Sequence, residues 1–474
     1  MRARTILTTL CAAIALAGCV KPPSTPSPGS DFGYDEWDSI PNDVPLPKPG
    51  VNQRPVVGTK KLLVTVTHWQ DGDGLNFPLI KKHTVSNDPD ALPAYISAAS
   101  HGKLTLTGQI IEHTSGPRPE LCKEGSPMPI SLATAEGAKS ALAQGLNPND
   151  YDYLINVIDC GGNASAYVPG RVMGVYGQAG GPHVYKHEFG HNLGYNHAST
   201  YTQCATASNV VSAPGSCQTT SYGDTGDSVS GGGTLYPANN RWYSGWLDNS
   251  QAAVIERSGL YRLTKLGNEG PQLYLINRPG LTPSQVALEY RKPTPFDNFP
   301  PSDNRVKGVW VRYTTMGGSL LNTQLDATPQ TATTADPTLL PGKVFSDLAA
   351  GVTVEVCSAT DTGATVAVTI NNQLQRKCPT LPPAVPGVTN PPASVKQYNP
   401  VKVAGSAIPG ALVNINYKRS ADTEWVSTTT IAGADGTWEK SLPYLSPQQY
   451  HLSVSQKLDD KTSLPNTRIV EVVH

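Results

Sequence analysis

Apolar and polar positions alternate along this chain in ways that change character three times. The first apolar run, Ile6 to Ala17, follows Arg2 and Arg4 and is too short to span a bilayer as a helix. Residues 20–56 are polar and spaced by prolines (Pro41, Pro45, Pro47, Pro49), which predicts an extended tether. The run Lys61–Thr67 predicts a strand, Ala91–Ser100 a helix, and Gly102–Thr107 a strand with a period of two. The Ala- and Leu-rich stretch 131–145 contains no proline and predicts a second helix. Tyr153–Ile158 then reads as a buried strand and Arg171–Gly177 as an edge strand. Strands alternating with helices predict a mixed sheet with helices packed on it.

From about residue 250 the apolar runs become short and β-like. They are Tyr261–Leu263, Gln272–Ile276, Val309–Tyr313 and Val352–Val356, separated by turn residues. A proline-rich joint, Pro379–Pro386, precedes a last set of short strands. Its Ala404–Ala411 turn and the strand start at Ala434–Trp438 resemble bacterial Ig-like modules. The expected fold class is therefore multidomain: an α+β unit over 57–250, an all-β domain over 251–380 and an Ig-like β-sandwich over 381–474. A leader (1–18) and a tether (19–56) precede them.

The chain has 474 residues, a length that suits about three domains. A formal net charge of −1 with 15% charged residues leaves no basic field for nucleic acid. Apolar residues at 38% suffice for packed cores. The leader ends in Leu16-Ala17-Gly18-Cys19, which resembles the lipobox of bacterial lipoproteins. That resemblance implies cleavage before Cys19, lipidation of Cys19 and attachment to a membrane. Val20 after the Cys favours an outer membrane or cell surface by the same resemblance. Beyond Cys19 six cysteines follow: Cys122, Cys160, Cys204, Cys217, Cys357 and Cys378. An even number in an exported chain without any CxxC implies disulfides rather than cysteine-held zinc. Fifteen pairings are open, and the nearest-neighbour set Cys122–Cys160, Cys204–Cys217 and Cys357–Cys378 is the expectation.

The chemistry concentrates in His187-Glu188-Phe189-Gly190-His191-Asn192-Leu193-Gly194-Tyr195-Asn196-His197. On a helix, His187 and His191 lie one turn apart on one face and can share a cation. Gly194 stands where a helix can stop in a left-handed turn, which lets His197 return as a third nitrogen ligand. Three neutral imidazoles leave a cation's charge intact and a fourth position open, as catalytic zinc requires. Glu188 sits beside the first ligand, placed to act as a base without being a ligand.

This pattern, with Tyr222-Gly223-Asp224 and Arg241-Trp242-Tyr243-Ser244-Gly245-Trp246-Leu247, resembles the metzincin metallopeptidases of gametolysin type over residues 60–370. The resemblance implies an endopeptidase acting on extracellular proteins, with one zinc ion on His187, His191 and His197. Glu188 would be the general base toward a zinc-bound water, and substrate would lie along an edge strand. Metzincins carry a Met in a turn below the histidines; here Val229 stands at the corresponding position. Two rival readings are an adhesion protein built on a metzincin-like scaffold and a zinc hydrolase of non-peptide amides. The expected partners are a protein or peptide substrate and a membrane reached through Cys19; the oligomeric state is not legible. Asp71-Gly72-Asp73-Gly74 reads as a turn rather than a calcium loop. His183 reads as a solvated loop residue, and Trp425 and Trp438 as packing rather than sugar-binding residues. Tyr222 and Tyr236 are left as packing residues.

Overall fold

The computed structural model describes residues 54–122, 129–177, 179–373, 377–379 and 382–474. The leader 1–18, Cys19 and the tether as far as residue 53 lie outside the described residues, and so does the lipidation expected at Cys19. The chain is a multidomain, β-rich protein with five α-helices among the described residues.

The N-terminal unit is built on a five-stranded sheet. Its strands are β1 (Gly58–His68), β2 (Leu104–Thr114), β3 (Tyr153–Ile158), β4 (Ala164–Ala166) and β5 (Val172–Val175), in spatial order β2-β1-β3-β5-β4. All neighbours pair parallel except β4, which runs antiparallel to β5. Parallel strands need crossovers, and the helices α1 (Phe77–Thr84), α2 (Leu92–Ser100) and α3 (Ile130–Ala143) provide them. β3 is buried throughout, as a parallel strand covered on both faces must be. Gly137 explains how α3 lies flush on the sheet. A Cβ there would overlap the Asn156 side chain on β3 and come within 2.7 Å of Thr65 Oγ1 on β1. One apolar core joins Val64, Val66, Tyr95, Ile96 and Ile155 to Phe189 of α4 (Pro182–Asn192) and to Leu193 just past its end.

Two corrections to the sequence reading follow from strand order. The 171–177 segment is not an edge: β5 lies between β3 and β4, and the edge belongs to β4. Ala164-Ser165-Ala166 has neither the length nor the β-branched residues that announce a strand. The second correction concerns the division at residue 250. Four short strands, β6 (Ser199–Thr202), β7 (Ala205–Ala207), β8 (Val210–Ser212) and β9 (Gln218–Thr220), pack with strands beyond 250. Those later strands are β10 (Ala252–Val254), β11 (Gly259–Thr264), β12 (Leu273–Asn277), β13 (Gln285–Tyr290), β14 (Val309–Met316), β15 (Leu320–Leu325), β16 (Val344–Asp347), β17 (Val352–Ala359) and β18 (Gly363–Thr369). One sheet runs β10-β12-β13-β14-β15-β6-β9 and the other β11-β18-β17-β16-β8-β7. The excursion 199–220 thus completes both layers of the β-sandwich, and packing does not divide at 250.

The C-terminal stretch forms a three-stranded and a six-stranded sheet around Val403, Ile415, Trp438, Leu452 and Val470. Trp438 is a core residue there, whereas Trp425 is exposed with Lys418 over its ring, so the two do not share a face. Disulfides join Cys122 to Cys160, Cys204 to Cys217 and Cys357 to Cys378. The middle one closes a loop of 13 residues across the excursion, a constraint of about 3 kcal/mol by chain entropy. Disulfides of this kind belong to chains that fold in oxidising, extracytoplasmic compartments. Among the described residues no helix is long and apolar enough to cross a membrane.

Candidate metal centre

Pro182 opens α4 at its first turn, where a missing N–H costs nothing. The helix ends where Gly194 takes φ +95°, a conformation that glycine adopts without a Cβ clash. The backbone closes this turn through Gly194 N to His191 O (2.8 Å) and Tyr195 N to Gly190 O (3.0 Å). The returning chain is then fastened to the start of β15. Leu320 N donates to Gly194 O (2.8 Å) and Asn196 N to Leu320 O (2.9 Å). These bonds aim His197 back at the helix.

The three histidines meet at their Nε2 atoms. The separations are 3.2 Å for His187–His191, 3.1 Å for His187–His197 and 2.9 Å for His191–His197. His187 Nδ1–H donates to the Ser228 carbonyl (2.9 Å) and His191 Nδ1–H to the Tyr195 carbonyl (2.7 Å). Carbonyls accept only, so those two rings carry their proton on Nδ1 and present bare lone pairs at Nε2. Lone pairs converging at about 3 Å repel unless a cation lies between them. The triangle is close to the roughly 3.3 Å edge expected of nitrogens about 2.0–2.1 Å from a tetrahedral zinc. Burial, then the neighbouring imidazoles, holds all three rings neutral: His187 well below its ordinary pKa, His191 and His197 at about 3. The donor set therefore fits zinc, with backbone carbonyls orienting two of the ligands.

Glu188 is 4% exposed, and its Oε2 has no hydrogen-bond partner among the described residues. Desolvation pushes its pKa up to about 8. A dry carboxyl without a fixed partner, poised near neutral pH, can both take and return a proton, as a general acid–base must.

The floor below the helix is the segment 224–230. Val229 is fully buried against α4, and a Cβ on Gly190 would overlap its Cγ1 and lie 3.1 Å from Tyr236 Cε1. The segment is held by Val229 N donating to Asp227 Oδ1 (3.0 Å) and by Tyr95 OH donating to Ser228 Oγ (2.9 Å). Because Ser228 also receives His187, the floor and the first ligand share one anchor. Gly190→Ala should therefore destabilise the chain by about 1–3 kcal/mol. It should also weaken zinc in a competition titration, since the helix can only make room by lifting His187 and His191. An unchanged zinc affinity would show that the floor does not set the ligand geometry.

Residues that sequence reasoning set aside stand close by. The Tyr222 hydroxyl is 2.9 Å from His197 Nδ1 and 3.2 Å from its Nε2. Its place in the Tyr-Gly-Asp segment was the available signal. Tyr236 is buried beneath α4 and donates to the Lys186 carbonyl (2.5 Å), away from the imidazole face. His183 is exposed, as expected, but is not a loop residue: it lies in the first turn of α4, with its ring 5.9 Å from that of His187. Asp71 accepts Arg118 N (2.6 Å), and Gly74 takes φ +79°, as a turn requires. Among the described residues the His187–His191–His197 set is the one cluster able to hold a metal.

No family model and no curated protein matches the chain. Solved structures match it over limited stretches. One is XAC1771, a carbohydrate acetylesterase from Xanthomonas citri (24% identity, 17% of this chain and 16% of that one, TM-score 0.13). Another is the chicken CNTN1 FN1-FN3 domains (12% identity, 25% and 48%, TM-score 0.17). A third is the extracellular domain of the two-component system BT4673 from B. thetaiotaomicron (14% identity, 35% and 23%, TM-score 0.14). The chain spans less than half the length of each, and these likenesses say nothing of its activity.

Proposed function

We propose that the chain is a zinc-dependent endopeptidase of the gametolysin-like metzincin type, exported and anchored through a lipid on Cys19. The observation that carries the reading is the convergence of three neutral Nε2 atoms beside the dry, unpartnered carboxyl of Glu188. Zinc on His187, His191 and His197 would supply Lewis acidity toward a peptide carbonyl and toward water. The remaining work falls to the chain. Glu188 Oε2 takes the proton of the attacking water and returns it to the departing amine. The Tyr222 hydroxyl, beside His197, donates to the carbonyl oxygen as charge gathers on it. An extended peptide adds to the free edge of β4 by main-chain hydrogen bonds, which holds the scissile bond in register. The α4 helix and its floor keep bulk water from Glu188.

The test is cleavage of casein or gelatin by the zinc-loaded full chain, followed after a chelator. Cleavage should stop on chelation and return on adding zinc, with the unfolding midpoint lowered in the metal-free state. Cleavage that survives verified removal of the metal would exclude a zinc peptidase.

A further inference from the structure

Asn192 directly follows His191 at the end of α4 and is 2% exposed. Its Nδ2 donates to the Tyr167 carbonyl (3.1 Å) and to the Val172 carbonyl (3.1 Å), and its own backbone carbonyl accepts Gly170 N (3.1 Å). Tyr167 comes straight after β4 and Val172 opens β5. One residue of the histidine-bearing helix therefore grips both arms of the β4–β5 hairpin and the turn between them. Both side-chain acceptors are carbonyls, which fixes the amide with its nitrogen toward the hairpin. Oδ1 then has no hydrogen-bond partner among the described residues. An amide buried with its oxygen unmatched costs free energy, and an apolar side chain of the same size would serve packing alone. The double donation is what this position needs an amide for.

The two arms are not equally held. β5 pairs on both sides, with β3 and β4, and Arg171 just before it donates to the carbonyls of Pro148 (2.8 Å) and Tyr151 (2.6 Å). β4 has three residues and pairs with β5 at the end of the sheet order. A strand that short has few ladder bonds of its own. Just past its last residue, Tyr167 N donates to the Val172 carbonyl (3.3 Å) and the Tyr167 carbonyl receives Asn192.

We infer that Asn192 is a positioning residue: it sets the register of the β4 edge against His187 and His191, and so the place at which an extended peptide presents its bond to the metal. The inference rests on the peptidase reading and on the use of the β4 edge by substrate. A shift of the hairpin along α4 moves the peptide and not the imidazoles of His187 and His191, which are anchored on the Ser228 and Tyr195 carbonyls. Misplacement by about 1 Å can cost on the order of 10²-fold in rate. Only substrates long enough to lie along β4 feel it, because their main-chain bonds to that edge carry the displacement.

The probes are an octapeptide spanning the first casein bond that the wild type cleaves and its central tetrapeptide. Asn192→Ala in the full chain should lower kcat/KM about tenfold on the octapeptide, mainly through KM, and less than about twofold on the tetrapeptide. One zinc per chain should remain, and amide hydrogen exchange across residues 164–167 should quicken. A role confined to stability would lower the unfolding midpoint and leave the ratio of the two peptides unchanged. Gly170→Ala attacks the same grip from the hairpin. A Cβ there would lie 2.4 Å from Tyr167 Cβ and 2.9 Å from its carbonyl oxygen, so the turn must move while α4 keeps its sequence. It should reproduce the length-dependent loss, and it decides the matter if Asn192→Ala does not fold. Equal loss on both peptides, unchanged exchange at 164–167, or a Gly170→Ala protein that treats the two peptides as the wild type does would each overturn the role of Asn192. A wild type that cleaves no casein would instead overturn the peptidase reading, and this inference with it.

Discussion

Glu188→Gln should lower the turnover of protein substrate by about 10²–10⁴-fold while leaving one zinc per chain. The substitution keeps the size of the side chain and removes only its capacity to take and return a proton. Among the described residues no hydrogen bond joins Glu188 to any of the three imidazoles; their anchors are the Ser228 and Tyr195 carbonyls and the Tyr222 hydroxyl. Metal content and KM should accordingly stay near the wild-type values, with the loss confined to kcat. Stability should not fall either. Desolvation raises the pKa of this carboxyl to about 8, so holding its ionised form in a dry site costs the fold, a cost that the neutral amide does not carry. The measurement is steady-state hydrolysis of casein beside zinc quantification on the same samples. Equal cleavage by both proteins would remove Glu188 from the chemistry. Two inert proteins that both hold zinc would favour the adhesion-scaffold reading instead.

The candidate centre was legible because its geometry is local. His187, Glu188 and His191 are related by one helical turn, and Gly194 supplies the only backbone freedom that His197 needs. What orients them was not legible, because it arrives from far along the chain. The Ser228 carbonyl comes from 41 positions away and Leu320, which pins the return loop, from more than 120. Backbone carbonyls carry no residue signature, so no reading of side chains could have named them.

The same contrast runs through the fold. β1 and β3 are apolar runs buried on both faces and α2 and α3 are Ala-rich apolar stretches, so composition announced them within a few residues of their ends. The excursion 199–220 had no such signal. Its strands have three or four residues, and β7 and β9 are exposed throughout, so pairing alone makes them strands. β6 and β8, on which they pair, are joined to β15 and β16, which lie beyond residue 319. A boundary drawn where the composition changes therefore cut through a sandwich that the chain enters twice. β4 was missed for a related reason, since Ala-Ser-Ala becomes a strand only because Val172–Val175 lies beside it.

Arg312→Met should cost about 3–5 kcal/mol, a fall of roughly 10 °C in the unfolding midpoint. Arg312 extends from β14 with its side chain fully buried. Its Nε lies 2.6 Å from Asp224 Oδ2 and its Nη2 3.0 Å from Asp224 Oδ1, while Nη1 meets Glu289. Asp224 is the hinge of the metal-site floor: it accepts Gly226 N (2.8 Å), and its own N–H donates to Ser230 Oγ, which donates in turn to the Ala198 carbonyl. One guanidinium thus ties the β-sandwich to the turn beneath the histidines. Methionine fills similar volume but strands the Asp224 carboxylate in a dry site. The large cost comes from that uncompensated charge rather than from lost attraction. Arg312→Met with Asp224→Asn should therefore recover part of the loss, since the amide no longer brings a buried charge. Recovery should be incomplete because Glu289 loses one of its two arginines, keeping Arg291 and the Ala238 N–H. Arg312→Lys should recover little, as one ammonium cannot reproduce the two-point contact to Asp224. Zinc affinity should fall with Arg312→Met, because the floor that holds Ser228 loosens with it. A single variant within about 1 kcal/mol of wild type would mean that water or relaxation already satisfies Asp224. The tie between sandwich and metal floor would then be geometric contact without energetic weight.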